Sequence, residues 1–119
     1  MKIHNFKKLL LWQKAMDLAT FIYLLTSDFP KEEKYGLISQ LQRCAVSIPS
    51  NIAEGSGRVS KKEFQHFISF AMGSSFELET QVILAYKFKY ITEEQMVVFE
   101  TMMRPVQKMT FGLYNSLQQ

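Results

Sequence analysis

Ser47-Ile48-Pro49-Ser50-Asn51-Ile52-Ala53-Glu54-Gly55-Ser56-Gly57-Arg58 is the stretch that decides the fold. Its apolar positions extend a rhythm begun upstream: Leu37, Leu41, Cys44, Ala45, Ile48 and Ile52 share one face of a helix expected over residues 34–54. Arg43, Ser47, Ser50 and Glu54 gather on the opposite side, with Asn51 at the edge. Pro49 lies inside the pattern and removes the hydrogen bond to the Ala45 carbonyl. The apolar stripe keeps its phase through Ile52, so a kink is expected there, not a break. Gly55 is placed to end the helix in a left-handed conformation.

Working outward, residues 9–27 repeat the pattern with Leu11, Ala15, Leu18, Ile22 and Leu25, and Phe29-Pro30 closes that helix. Ser60-Lys61-Lys62-Glu63 reads as a capping box opening a helix over 60–88, with Phe64, Phe67, Ala71, Ser75, Leu78, Val82 and Ala85 as its core stripe. Thr92-Glu93-Glu94-Gln95 opens a last helix over 92–117, where Phe99, Met103, Val106, Leu113 and Leu117 face inward and Pro105 should kink the rod. The connections are short, which favours antiparallel neighbours, and no alternating strand pattern competes. The expected fold is all-α: one antiparallel up-down-up-down four-helix bundle spanning residues 1–119.

The size agrees with a single core. A chain of 119 residues falls within the roughly 100–200 of one domain. With 47% hydrophobic and 21% charged residues it is globular, not disordered. One cysteine, Cys44, excludes an internal disulfide. No secretory signal pattern stands at the N-terminus, and the apolar runs fall short of the ~20 residues of a membrane helix. A soluble cytoplasmic protein with no membrane contact is expected. The net charge of +3 and pI near 9.0 permit an acidic partner without requiring one.

The third helix carries more apolar surface than an isolated bundle hides. Phe70, Leu84 and Phe88 fall on one side of its core stripe, and Met72, Phe76 and Ile83 on the other. Val98, Met102 and Met109 add to it on the fourth helix. Contiguous apolar surface marks contact sites. The expected oligomer interface is Phe70, Met72, Phe76, Ile83 and Leu84, and the small residues Gly73-Ser74-Ser75 leave room for a neighbour.

Candidate chemistry is sparse. Lys2, Lys7, Lys8 and Lys14 precede the first acid, Asp17; Arg58, Lys61 and Lys62 form a second basic cluster, and Lys87 with Lys89 a third. Of these, Lys7, Lys8, Lys14, Arg58, Lys61 and Lys62, together with Arg43, are the candidate phosphate contacts, since phosphate binding needs positive charge and little else. Glu32, Glu33, Glu93 and Glu94 offset the charge near other loops, and no base-reading module is present. Glu63 and His66 make one Glu-x-x-His pair, but a di-iron bundle needs that pair twice and two further glutamates; His4 has no such partner. Cys44 sits in an apolar stripe, where it packs as a small hydrophobe. Gly55-Ser56-Gly57 follows a helix and lacks the spacing of a phosphate loop. No catalytic residue, cofactor or metal is assigned. Trp12 reads as a packing anchor of the first helix. The polar face of the second helix admits two explanations: Asn51 and the serines bond carbonyls freed by Pro49, or Arg43 and Glu54 pair with Glu77 or Arg58 across a subunit boundary.

Several motifs in order resemble one family. They are Leu11-Trp12-Gln13-Lys14-Ala15, Phe29-Pro30, Tyr35-Gly36-Leu37, Gln40-Leu41, the signature Ser47, Pro49, Asn51, Glu54 and Gly55, then Phe64, Gly73-Ser74 and Glu77-Leu78-Glu79-Thr80-Gln81. Over Leu9 to about Tyr90 the chain resembles the small bacterial four-helix-bundle family named after 23S rRNA intervening sequences. The resemblance implies a homo-oligomeric ring, most often a pentamer, and no established activity. Relatives include the accessory variability protein of diversity-generating retroelements, a basic pentamer that associates with a reverse transcriptase and binds nucleic acid. The family often has two adjacent basic residues after Gln-Leu; here they are Gln42-Arg43, which weakens an RNA-binding inference. The function expected is a non-enzymatic homo-oligomeric scaffold or adaptor. The alternative is an accessory protein that binds nucleic acid, or a nucleic-acid-processing protein, through its basic clusters.

Overall fold

Apolar residues at helical spacing become the buried face of each rod. The computed structural model describes residues 5–118. It contains α1 (Leu10–Thr26), α2 (Leu37–Ser56), α3 (Lys61–Lys87) and α4 (Glu93–Ser116), with short 3-10 turns at Phe6–Lys8 and Lys31–Glu33. Among the described residues there is no strand. Each helix packs on its two sequence neighbours, α4 closes back onto α1, and the diagonal pairs stay apart. Antiparallel register shows in Ser47 with Ser74 and Gln40 with Gln81 across α2–α3, and in Gln65 with the Tyr114 carbonyl across α3–α4. The bundle measures 48 × 25 × 21 Å. Leu18, Ile22, Leu41, Ile48, Ile52, Ile68, Leu78, Val82, Phe99 and Met103 form its fully buried centre.

Both proline-containing helices run on through Pro49 and Pro105 without a break. The start of α2 lies later than its periodicity suggests, because Lys31–Glu33 makes its own turn. Glu33 then reaches forward: its Oε1 accepts from the Leu37 N–H at 3.1 Å, while its Oε2 accepts from the Tyr90 hydroxyl at 2.8 Å. One carboxylate thereby caps α2 and ties it to the α3–α4 turn, raising the Tyr90 pKa through that hydrogen bond.

Four expectations need correction. The core position of α3 is Ile68, not Phe67; Ile68 keeps the alternating four–three steps, and Phe67 sits one step toward α2. In α4 the expected stripe lacks Thr110, which is fully buried with its hydroxyl donating to the Val106 carbonyl, while Leu113 packs half-buried against the core. Ser60 accepts the Glu63 N–H at 3.1 Å, but the Glu63 carboxylate takes the Ser60 hydroxyl, not its N–H. The full reciprocal box is at Thr92 and Gln95. Gly55 is not a left-handed terminator. It lies inside α2, buried, and no described glycine has positive φ. A Cβ there would stand 2.8 Å from Phe67 Cβ and 3.0 Å from Phe64 Cδ1, so its role is to let α3 approach α2.

The left-handed residue among those described is Lys89, with φ 66°. The Tyr90 N–H reaches the Ala85 carbonyl at 2.9 Å and the Lys89 N–H reaches Tyr86 at 3.0 Å, the two bonds of a Schellman C-cap. A Cβ in this conformation costs about 1 kcal/mol. Lys89→Gly is therefore expected to raise stability by about 0.5–1 kcal/mol in urea unfolding at fixed protein concentration.

Candidate interaction surfaces

The family-like polar residues of α2 build a seam with α3. Ser47 Oγ and Ser74 Oγ share a hydrogen bond of 2.8 Å, and Asn51 Nδ2 donates to the Ser47 carbonyl at 2.8 Å and to Ser47 Oγ at 2.9 Å. Asn51 thus braces the turn before Pro49 and holds the hydroxyl that crosses to α3; the Ala45 carbonyl is not its acceptor. Glu54 accepts from Arg58 of its own chain at 2.6 Å, and the Arg58 guanidinium lies 4.6 Å from the centre of the Phe67 ring. Glu54 and Arg58 thus pair with each other within one chain. Arg43 and Glu77 are in no ion pair among the described residues, although both line one open hollow of about 510 Å³ with Gln40, Cys44, Ser47, Ser74 and Gln81.

Cys44 faces that hollow but is poorly suited to attack. Burial, then the Glu77 carboxylate beside it, push its thiol up to about 12. Only a small fraction is thiolate at neutral pH. Alkylation by iodoacetamide at pH 8 is expected to run at least tenfold slower than for the urea-unfolded chain, which mass spectrometry follows directly.

The back of α3 is apolar and wet. Phe70 is 47% exposed, Phe76 56%, Ile83 37% and Leu84 39%. Gly73 lies between the two phenylalanines, and a Cβ on it would meet nothing within 4 Å. The bundle itself does not need glycine there, and an exposed glycine in a helix interior costs about 1 kcal/mol relative to alanine. Met72, expected on the same face, is instead half-buried in the α3–α4 groove beside Phe111 and Tyr114.

A second uncovered apolar surface lies on the other side of the molecule. Trp12, Met16, Ala19, Thr20 and Tyr23 of α1 face Val46, Pro49, Ser50 and Ala53 of α2 around an open groove of about 600 Å³. None of the nine is charged. Trp12 is anchored there edge-on to Phe6, with ring centres 5.2 Å apart.

The basic residues separate by location. The start of α1 lies beside the end of α2, so Lys7, Lys8 and Lys14 share one end of the bundle with Arg58, Lys61 and Lys62. All but half-buried Lys14 are exposed. Arg43 stands apart, midway along α2, and Lys87 and Lys89 lie at the far end among Glu32, Glu33, Glu93 and Glu94. Lys2 and His4 fall outside the described residues. Among those described, no three histidine, cysteine or acidic side chains gather as a metal site, and no helix is long and apolar enough to cross a membrane.

The model of the family described as 23S rRNA-intervening sequence protein matches residues 7–112. The chain belongs to that family. Its match reaches beyond the motifs of the first three helices and takes in most of α4. Among solved structures, the chain is similar to a protein of unknown function from the S23 ribosomal protein family of Bacteroides thetaiotaomicron. The two are 21% identical with a TM-score of 0.79, covering 88% of this chain and 98% of that one. At that identity the likeness shows the bundle fold. No curated protein matches the chain.

Family membership gives the signature a physical meaning in this chain. Gly55 sets the α2–α3 approach, Ser47 and Asn51 lock the register, and Pro49 lines the α1–α2 groove. The groove itself was missed in the sequence. Its residues fall at the edges of two separate core stripes, and only the α1–α2 pairing brings them together.

Proposed function

We propose that the protein is a non-enzymatic, cytoplasmic, homo-oligomeric scaffold or adaptor, assembled as a ring through the back of α3. The observation that carries this is the uncovered set Phe70, Phe76, Ile83 and Leu84 around Gly73, where an added Cβ would meet nothing within 4 Å. Their exposed area is on the order of 300 Å², worth roughly 8 kcal/mol if buried, before the costs of association. Five copies is the number the family resemblance implies. Light scattering of the protein at micromolar concentration is the test, with a mass of about 70 kDa expected for five chains of 13.9 kDa. A 13.9 kDa particle would remove the proposal.

A second reading is favoured by the basic end. There Lys7, Lys8, Lys14, Lys61 and Lys62 are in no ion pair among the described residues, and a ring whose copies share one orientation would repeat them on one rim. Such a rim suits sequence-independent contact with nucleic acid, bound alone or with a protein that processes it. Affinity for labelled RNA or DNA should collapse as salt rises and weaken in Lys61→Ala/Lys62→Ala. Absence of binding at low salt would dismiss this reading.

A further inference from the structure

We infer that the two uncovered apolar surfaces are the halves of one head-to-tail contact: the back of α3 of one copy seats in the α1–α2 groove of the next. The inference rests on the oligomeric reading above and names the second half of its interface. The first support is position. α1 and α3 are diagonal in the bundle, so the groove and the back of α3 open on different sides. A two-fold contact of α3 on α3 would cover one and leave the other wet. A contact between unlike surfaces covers both, and it propagates into a closed ring when the rotation fits.

Chemistry and size agree. The groove is uncharged, and on the back of α3 Phe70, Gly73, Phe76, Thr80, Ile83 and Leu84 are uncharged, with Glu77 the one charge on that face between Phe70 and Leu84. Those residues span about 21 Å of helix, and Trp12 to Tyr23 spans about 17 Å along the groove. Gly73 leaves a notch between Phe70 and Phe76 into which a side chain of the groove, such as Met16 or Tyr23, can press against the helix backbone. The charges at the edges are complementary. On helical spacing Arg43 flanks the α2 rim of the groove, and Glu77 lies on the Phe70–Leu84 side of the back of α3. Neither is in an ion pair among the described residues. Stacking copies this way brings the Glu77 edge of one toward the Arg43 edge of the next.

The test is complementation between two broken interfaces. Phe76→Glu spoils the back of α3 and keeps the groove; Met16→Glu spoils the groove and keeps α3. In sedimentation velocity each alone should run as a monomer with helical content unchanged by circular dichroism. Mixed in equal amounts, they retain one good copy of each surface and should form a heterodimer of about 28 kDa, and nothing larger. If Met16→Glu keeps the wild-type mass, or the mixture stays monomeric, the head-to-tail pairing is overturned while the oligomer stands. A monomeric wild type instead overturns the oligomeric reading itself. Val46→Glu, at another exposed groove position, replaces Met16→Glu should that variant lose its helices. Exchanging the rim charges gives an independent readout. Arg43→Glu and Glu77→Arg should each weaken assembly about tenfold, and the double variant should recover it; no recovery counts against the pairing.

Discussion

Gly55→Ala is expected to cost about 2–3 kcal/mol of stability, more than most substitutions of one small residue for another. Helix propensity alone favours alanine by about 1 kcal/mol, so a propensity argument predicts the opposite sign. The deciding quantity is distance. The new methyl would stand 2.8 Å from Phe67 Cβ and 3.3 Å from the Phe64 carbonyl oxygen, both fixed to the α3 backbone. No rotamer change relieves those contacts, so α2 and α3 must move apart near their turn. That opens the packing around Phe64 and strains the Ser47–Ser74 hydrogen bond further along the seam. Urea unfolding against Gly57→Ala is the matched measurement, because a Cβ on Gly57 would meet only the Glu54 carbonyl at 3.6 Å. Equal stability of the two variants would refute the close-approach role of Gly55.

The same glycine shows what the sequence could and could not tell. Its place at the end of an amphipathic run was legible, and so was a turn just beyond it. Two physical roles fit a glycine there, a positive φ or a missing Cβ, and only the packing of α3 distinguishes them. The left-handed site fell at Lys89, a residue type that gives no composition signal for it. Four helices, their order and the capping at Ser60 and Thr92 followed from spacing, because each depends on residues close in the chain. The choice of Ile68 over Phe67 did not, since both positions satisfy a helical period and the partner helix decides. Likewise the basic clusters were visible as letters, but their gathering at one end, with Arg43 left aside, depends on how α1 and α2 lie together.

Phe76→Glu should take the proposed assembly to monomers at micromolar concentration and leave the helices intact. In a single bundle the substitution is nearly silent, because the Phe76 side chain is more than half exposed and its loss opens no cavity. In the assembly the carboxylate would be driven against an uncharged surface. Burying such a charge without a partner costs several kcal/mol, and 3 kcal/mol is already more than a hundredfold in each dissociation constant. A ring closes through every one of its contacts, so the loss is repeated at each. Phe99→Ala supplies the converse on the same residue type. Phe99 is fully buried in the core, and its truncation should cost about 3–5 kcal/mol of folding stability wherever the copies meet. Gly73→Ala sharpens the contrast. It adds about 1 kcal/mol of helix propensity to an isolated bundle, yet fills the notch between Phe70 and Phe76 and should weaken assembly. A Phe76→Glu protein that keeps the wild-type mass, with Gly73→Ala simply more stable, would mean that the greasy back of α3 faces water in the working protein.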